Sequence, residues 1–192
     1  LGVLAGAFIA IGGMFSTVAT AGASGMLPYG VIRTIAGLAF GLGLIMVVVG
    51  GAELFTGNTL IVMAFASGKV SLTALLRNWA IVYASNFVGA VLTAGLVFVT
   101  GHYTAGQGSV GLNILAIGEA KTALAFVPAL AMGILCNTFV CMAVWLCFSA
   151  RTTTDKIMAI MMPIAAFVAA SFEHSIANMY FIPLALFVKD GA

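Results

Sequence analysis

The feature that most constrains this chain is a series of five apolar stretches, each long enough to cross a lipid bilayer. They run over residues 1–22, 30–68, 75–101, 125–149 and 156–188. A membrane-spanning helix needs about 20 apolar residues to cross a hydrocarbon core of roughly 30 Å. Only 6% of the residues are charged, against roughly 25% in a soluble domain. The sequence therefore predicts an all-α, multi-pass membrane protein that forms one domain, residues 1–192.

Two of these stretches, the second and the fifth, are too long for one straight helix, and polar residues interrupt both near the middle. The first interruption reads Gly-Gly-Ala-Glu-Leu-Phe-Thr-Gly-Asn, and the second reads Ser-Phe-Glu-His-Ser-Ile-Ala-Asn. Both contain Glu-x-x-x-x-Asn, at Glu53/Asn58 and at Glu173/Asn178, 120 residues apart. The interruptions therefore indicate an internal repeat.

The same offset places the first stretch on the fourth and the second on the fifth. Repeat one covers about 1–101 and repeat two about 121–192. A partner for the third stretch would fall at about 195–221, so we expect a sixth span to be absent from this chain. Because each repeat has an odd number of spans, the second inserts upside down, and matching broken helices mark a transport site. The expected fold is an inverted repeat of 3+3 helices with broken second and fifth helices.

Three ionisable residues lie well inside the apolar stretches: Glu53, Glu173 and His174. Such a residue costs about 3 kcal/mol or more at the centre of a span unless it faces the bundle interior or water. All three fall in the interruptions, and unwound backbone at membrane depth is tolerated only where it lines a cavity or is buried in protein. Helix N-termini aimed at such a gap favour an anion. The pattern predicts a polar transport site near the middle of the bilayer.

Of these residues, His174 is the candidate for direct contact with a transported anion, because a carboxylate lining the path would repel it. The alternative is a histidine that is merely hydrogen-bonded in the core. We expect Glu53 and Glu173 to hold the interruptions by accepting hydrogen bonds from freed backbone N–H groups. Asn58 and Asn178 are grouped with them as break-supporting residues.

A comparison of free energies indicates how an anion could cross such a site. Moving a bare carboxylate into hydrocarbon costs about 20 kcal/mol by the Born estimate. Protonating a carboxylate with a pKa of about 4 at pH 7 costs only about 4 kcal/mol. Imidazole, with an ordinary pKa of about 6.5, is suited to lend and recover that proton. Thr56, in the first interruption, either offers a hydroxyl to the same anion or bonds back to its own loop.

Large apolar residues lie in or near the interruptions: Phe40, Leu44, Leu54, Phe55 and Phe167. Such residues in membrane helices normally serve helix packing. Their closeness to the polar site also allows a second interpretation, a hydrophobic constriction of the kind that gates channels by excluding water.

The composition argues against several other classes. A net charge of +2 is too weak and too dispersed for nucleic-acid binding. Cys136, Cys141 and Cys147 form no CxxC pair, which favours small apolar residues in a helix over metal ligands. One histidine with two acidic neighbours could do acid–base chemistry, but no nucleophile, metal cluster or cofactor motif accompanies it. We therefore expect no enzyme activity and no cofactor.

Three segments resemble the signatures of the formate/nitrite transporter family. They are 51–58 (GAELFTGN), 136–145 (CNTFVCMAVW) and 172–179 (FEHSIANM), in that order along the chain. The resemblance extends from the first apolar stretch through the fifth. It implies an aquaporin-like fold of six spans, assembled as a homopentamer with one pore per subunit.

Two glycine pairs, Gly2/Gly6 and Gly37/Gly41, suit either packing within a subunit or a subunit interface.

The resemblance also implies roles for individual residues. The threonine and histidine that face each other in the family's channels match Thr56 and His174. A lysine before the fourth span and an asparagine within it, which help draw in and hold the anion, match Lys121 and Asn137. From the residues alone, we would expect Lys121 to be a solvated charge in a loop and Asn137 to form a hydrogen bond between helices.

The family's two constrictions also have counterparts in this chain. The outer one matches Phe40 and Phe167, and the inner one matches Leu44, Leu54 and Phe55. The leading hypothesis is a formate channel in the bacterial inner membrane that passes small monovalent anions. Nitrite or hydrosulfide is the alternative cargo within the family, and a neutral pore for water or glycerol is the alternative of another class.

Overall fold

The computed structural model describes residues 1–191, and all regular secondary structure in that range is helical. The α-helices are α1 (Gly2–Thr20), α2 (Tyr29–Gly50), α3 (Phe55–Asn58), α4 (Ile61–Ala66), α5 (Leu72–Val99), α6 (Ser109–Thr122), α7 (Phe126–Cys147), α8 (Thr153–Ala169) and α9 (Ser175–Gly191). A 3₁₀ turn, His102–Thr104, separates α5 from α6. The helices pack with α1 against α2 and α5, and with α8 between α2 and α7.

Within residues 1–191, four helices are long and apolar enough to cross a membrane, namely α1, α2, α5 and α7. The fifth predicted stretch is divided, because α8 ends at Ala169 and α9 begins at Ser175. The second stretch is also divided, since α2 ends at Gly50 and the chain continues as the short helices α3 and α4. The prediction of broken second and fifth spans is therefore confirmed.

The surface also fits a membrane protein. Leu92, Leu96 and Val99 on α5 are 60%, 69% and 81% exposed. Large apolar side chains of this kind recur on the outer faces of the other long helices. A continuous apolar surface of this extent suits lipid or a neighbouring subunit rather than water.

The two breaks have the same backbone geometry, 120 residues apart. Gly51 and Ser171 adopt the left-handed conformation, with φ of 67° and 60°. The next N–H groups, of Ala52 and Phe172, donate to the carbonyl five residues back at 2.9 Å and 3.0 Å. Ser171 has a Cβ that disfavours this conformation, and its hydroxyl hydrogen-bonds the phenol of Tyr29 at 2.8 Å. The matching interruptions read from the sequence are thus matching backbone turns.

Residues 102–124, which join the third and fourth apolar stretches, are more than a connection, because most of them form α6. Gly108 precedes α6 with a φ of 85°, which lets the chain turn into the helix. Val110, Ile114 and Gly118 follow at intervals of four residues and are buried, forming one face that packs on α9. The spacing is the helical signal that the many small and polar residues of the segment concealed.

Glycines allow the closest helix contacts. A Cβ added at Gly37 would lie 2.6 Å from the Ala165 carbonyl oxygen on α8, and one at Gly6 would lie 2.0 Å from the Asn86 carbonyl oxygen on α5. Their partners in the two glycine pairs contact the same neighbouring helices. Both pairs therefore serve packing within the subunit, which decides between the alternatives left open by the sequence.

Candidate functional site

The two breaks meet at Thr56 and His174. Thr56 is the second residue of α3, just after the first break, and His174 immediately precedes α9. The Thr56 Oγ1 atom lies 3.2 Å from His174 Nε2, and both residues are 4% exposed. The Thr56 hydroxyl therefore bonds the histidine of the other break rather than its own loop. A buried polar pair at the junction of two helix ends is the arrangement expected of a transport site.

The hydrogen bonds of His174 define where its proton lies. The backbone N–H of Ala177 donates to His174 Nδ1 at 3.0 Å, so Nδ1 is an acceptor and carries no proton. In the neutral ring the proton is then on Nε2, which points at Thr56 Oγ1. The same bond satisfies one of the free N–H groups at the start of α9, so the histidine side chain serves as a helix cap.

Glu173 joins the second break to α6 and α9. Its Oε2 atom accepts hydrogen bonds from Lys121 Nζ at 2.8 Å and from Asn178 Nδ2 at 2.8 Å. The Lys121 ammonium also lies 5.4 Å from the centre of the Phe181 ring, within cation–π range. Lys121 is therefore a half-buried member of an ion pair, not a solvated loop charge.

Glu53 occupies the corresponding place in the first break. Its Oε2 atom accepts from Asn58 Nδ2 at 3.0 Å and from Asn78 Nδ2, on α5, at 3.3 Å. The expectation that Glu53 and Glu173 accept backbone N–H groups is thus wrong. Side-chain amides and an ammonium reach these carboxylates, whereas the backbone N–H groups of Phe55 and Ala177 donate to Asn86 and His174. The pairs Glu53–Asn58 and Glu173–Asn178 repeat with the 120-residue offset.

Asn86, in the middle of α5, holds the first break and was missed by the sequence reasoning. Its Oδ1 atom accepts from the N–H of Phe55 at 2.9 Å. Its Nδ2 atom donates to the carbonyls of Glu53 at 2.9 Å and of Gly2 at 2.8 Å. The residue is 0% exposed. The available signal was an uncharged polar residue in the middle of an apolar span, away from both interruptions.

Asn137 connects α7 to the first break. Its Nδ2 atom donates to Thr59 Oγ1 at 3.1 Å, and Thr59 in turn donates to the carbonyl of Thr56 at 2.8 Å. Asn137 Oδ1 is buried and has no hydrogen-bond partner within the described chain. A bond between helices, the interpretation from residues alone, is therefore present. It leaves one strong acceptor unused beside the polar pair.

One cavity of about 800 Å³ brings together the four residues expected to contact the anion. Its lining includes Thr56, Lys121, Asn137 and His174. We call it the central cavity. Its wall is otherwise mainly apolar, with α7 contributing one side. A mostly apolar cavity with a few convergent polar groups is the usual form of a small-ligand site.

Two smaller cavities adjoin the central cavity. One, of about 250 Å³, shares His174 and Lys121 with it and is lined by Phe40 and Phe167. These two rings meet edge to face with centroids 5.9 Å apart, and Phe167 stacks on His174 at 5.9 Å. Because Arg33 also lines this space, we call it the Arg33 cavity.

The other adjoining cavity, of about 420 Å³, is lined by Leu44 and Leu54 and shares Leu60 with the central cavity. Phe55, which the resemblance groups with Leu44 and Leu54, lines the central cavity instead. Its ring packs on Tyr83 of α5, with centroids 5.0 Å apart. The Phe55 side chain therefore lines a different cavity from those of the two leucines.

Comparisons with known proteins agree on one family. The family model for formate/nitrite transporters matches residues 1–192. Over 192 residues the chain is 44% identical to the formate channel FocA of Escherichia coli (strain K12), and the alignment covers 100% of this chain and 67% of FocA.

Solved structures give the same result for the fold. A pentameric formate channel with formate bound matches with a TM-score of 0.94 and 46% identity, over 100% of this chain and 74% of that one. An ion channel of the FNT family matches with a TM-score of 0.85 and 28% identity, over 97% of this chain and 72% of that one. The chain thus spans between two thirds and three quarters of the length of these relatives.

Proposed function

Because this chain belongs to the formate/nitrite transporter family, we propose that it forms a channel for small monovalent anions, with formate as the main cargo. The observation that carries the proposal is the buried Thr56–His174 contact of 3.2 Å, in a cavity that also contains Lys121 and Asn137. The family is one of transporters and not of enzymes. A relative of the same family is named a formate channel at 44% identity.

The polar groups of the central cavity suit an anion that becomes partly protonated. The imidazole donates from Nε2 to Thr56 Oγ1, so the hydroxyl proton of Thr56 is free to point at an anion. Asn137 Oδ1 is an unused acceptor, which suits the O–H of a protonated acid. The Lys121 charge favours entry of an anion, and its pairing with Glu173 keeps the anion from being held too tightly.

His174 governs protonation in this scheme. Its Nε2–H is the donor closest to the point where the two breaks meet. A hydrogen bond to an ionised partner contributes about 1.5–3 kcal/mol. Passing a proton to the anion requires a ring that has first taken up a second proton, so the transfer depends on pH.

The apolar residues form narrow passages on either side of the polar pair. Phe40 and Phe167 narrow the route where the Arg33 cavity meets the central cavity, with ring centroids 6.2 Å and 5.9 Å from that of His174. Leu44 and Leu54 line the route on the far side. For Phe55 we propose a separate constriction, at the wall of the central cavity and apart from the two leucines. Apolar passages of this kind hinder hydrated ions and favour a neutral, protonated form.

The repeat, the assembly and the location complete the proposal. The 120-residue repetition of the left-handed turns and of the Glu–Asn pairs supports two inverted repeats, about 1–101 and 121–192, in one channel domain. The relative of solved structure is described as pentameric, which supports a homopentamer in the full-length protein. A bacterial inner membrane is the proposed location, since relatives include a formate channel of E. coli.

The test is formate flux into liposomes that contain the full-length protein. We expect His174→Phe, which keeps an aromatic ring beside Phe167 but cannot donate or bind a proton, to lower flux about tenfold or more. This factor corresponds to the loss of about 1.4 kcal/mol or more. His102→Phe, in the turn before α6, is the matched control and should leave flux unchanged. Unchanged rate and pH dependence in His174→Phe would refute the role of the histidine.

Competition between cargoes separates the alternatives. Formate, nitrite and hydrosulfide are offered to the same liposomes, and the anion with the highest permeability is the main cargo. Swelling in glycerol or water that does not depend on pH or on His174 would support a neutral-solute pore instead.

A further inference from the structure

Arg33 is the charged residue of the Arg33 cavity that the transport scheme has not used. It lies in the second turn of α2 and is half-buried. The cavity has a volume of about 250 Å³, and the polar residues Ser16, Thr20 and Asn113 also line it. This space is large enough for a small anion with part of its water shell.

The charges around this cavity favour an anion. Two cations, Arg33 and Lys121, line it, and the lining contains no carboxylate among the residues that the structure describes. Lys121 is paired with Glu173 at 2.8 Å, whereas no Asp or Glu lies within ion-pair distance of Arg33 over residues 1–191. Uncompensated positive charge beside an apolar wall attracts and concentrates anions.

The hydrogen bonds of the guanidinium point the same way. Arg33 Nη2 donates to the carbonyl of Val168, near the C-terminus of α8, at 2.6 Å. Its Nε atom is buried and has no hydrogen-bond partner in the described chain. A buried N–H that lacks a partner is unfavourable and uncommon, and an anion is the partner that a guanidinium binds best.

The position of Arg33 relates this group to the transport path. Val168, which Arg33 binds, directly follows Phe167. Arg33 and Phe40 are seven residues apart on α2, which places them on the same side of the helix about 10 Å apart. An anion at Arg33 would therefore lie about two helical turns before the Phe40–Phe167 pair.

From these observations we infer that Arg33 forms a second anion-binding site, which collects small monovalent anions in the Arg33 cavity before they pass the phenylalanine pair. The inference rests on the proposed transport function. The Arg33 site shares Lys121 and His174 with the central cavity, but Arg33 itself lines only the Arg33 cavity. Its task also differs, because Arg33 raises the local concentration of the anion and takes no part in its protonation.

The experiment compares full-length Arg33→Gln with wild type in liposomes, measuring formate flux against formate concentration in both directions. We expect the half-saturating concentration to rise about tenfold for flux that enters through the Arg33 side, and the rate at saturation to stay near that of wild type. Arg33→Lys, which retains the charge, should restore most of the affinity. Arg151→Gln, which makes the same change of charge at an exposed position outside all three cavities, is the matched control.

A merely structural role for Arg33, as a cap on the Val168 carbonyl, gives a different result. Glutamine can donate to a carbonyl, so that role predicts an unchanged half-saturating concentration, and this outcome would overturn the inference. If Arg33→Gln does not fold, Ser24→Asp tests the same charge balance, because Ser24 is exposed and lines the cavity. The added carboxylate should raise the half-saturating concentration, and no change would refute the site. Absence of formate flux in wild type would instead contradict the proposed function.

Discussion

Replacing Asn86 by leucine, which has nearly the same size, removes the hydrogen bonds that hold the first break against α5 and α1. Asn86 binds the N–H of Phe55 and the carbonyls of Glu53 and Gly2, at 2.8–2.9 Å. Because the site is 0% exposed, water cannot replace the lost partner. Three backbone groups would be left without the partner they now have.

The magnitude follows from the number of bonds. A hydrogen bond contributes about 1 kcal/mol net in soluble proteins and about 0.6 kcal/mol on average between membrane helices. Three bonds therefore contribute about 2–3 kcal/mol. The unpaired N–H and carbonyl groups favour the upper end, so we expect Asn86→Leu to lower the free energy of unfolding by about 3 kcal/mol. Formate flux should fall as well, since Thr56 follows Phe55 directly.

The assay is reversible unfolding of the full-length protein in bicelles, with liposome flux measured on the same preparations. Thr93→Val is the matched control on α5, because the Thr93 hydroxyl bonds only the carbonyl of Gly89 in its own helix. We expect the control to change stability by less than about 0.5 kcal/mol. An equally small effect of Asn86→Leu, with wild-type flux, would show that Asn86 does not hold the break.

Two further predictions concern helix packing and helix capping. Gly89→Ala should strongly destabilise the protein, because the added Cβ would overlap a backbone oxygen of α1. Gly95→Ala, on the same helix, meets no atom within 4 Å and should be neutral or stabilising by up to about 1 kcal/mol. Thermal unfolding of the two variants measures the difference. The backbone N–H groups of Arg151 and Thr152 hold the pKa of the Asp155 carboxyl below its ordinary value of 3.8. Because the pKa of this carboxyl is lower in the folded state than in the unfolded state, ionised Asp155 stabilises the fold. Wild type should therefore be more stable than Asp155→Asn above pH 3.8, and the difference should disappear as the pH falls through the lowered pKa. A difference that persists at lower pH would contradict this.

The sequence predicted the parts of the fold that depend on apolar length and on repetition. Long apolar runs give the spans, and Glu53 and Glu173 mark breaks because ionisable groups are too costly elsewhere in a span. The meeting of Thr56 with His174 followed from the matched breaks together with the family resemblance. The helix α6 was missed because its glycines and polar residues weaken the apolar signal to one buried face.

The hydrogen-bond partners could not be predicted in the same way. Which donor reaches Glu53 depends on how α5 passes the first break, and no local pattern reports the distance between Asn78 and that carboxylate. Asn86 illustrates the same limit, since its partners are 31 to 84 residues away in sequence. Partner choice in a bundle is a property of helix packing, whereas the location of polar residues is a property of the sequence.

The cap that His174 provides for α9 links chemistry to shape. The ring nitrogen facing the Ala177 N–H can serve the helix only while it has a free lone pair. In a doubly protonated ring, Nδ1 would carry a hydrogen that faces the N–H of Ala177, and the two donors would repel each other. The first turn of α9 would then have to loosen, or the ring would have to rotate away. Protonation of His174 and a displacement of the second break would then occur together. A change of pH would thereby change the shape of the transport path.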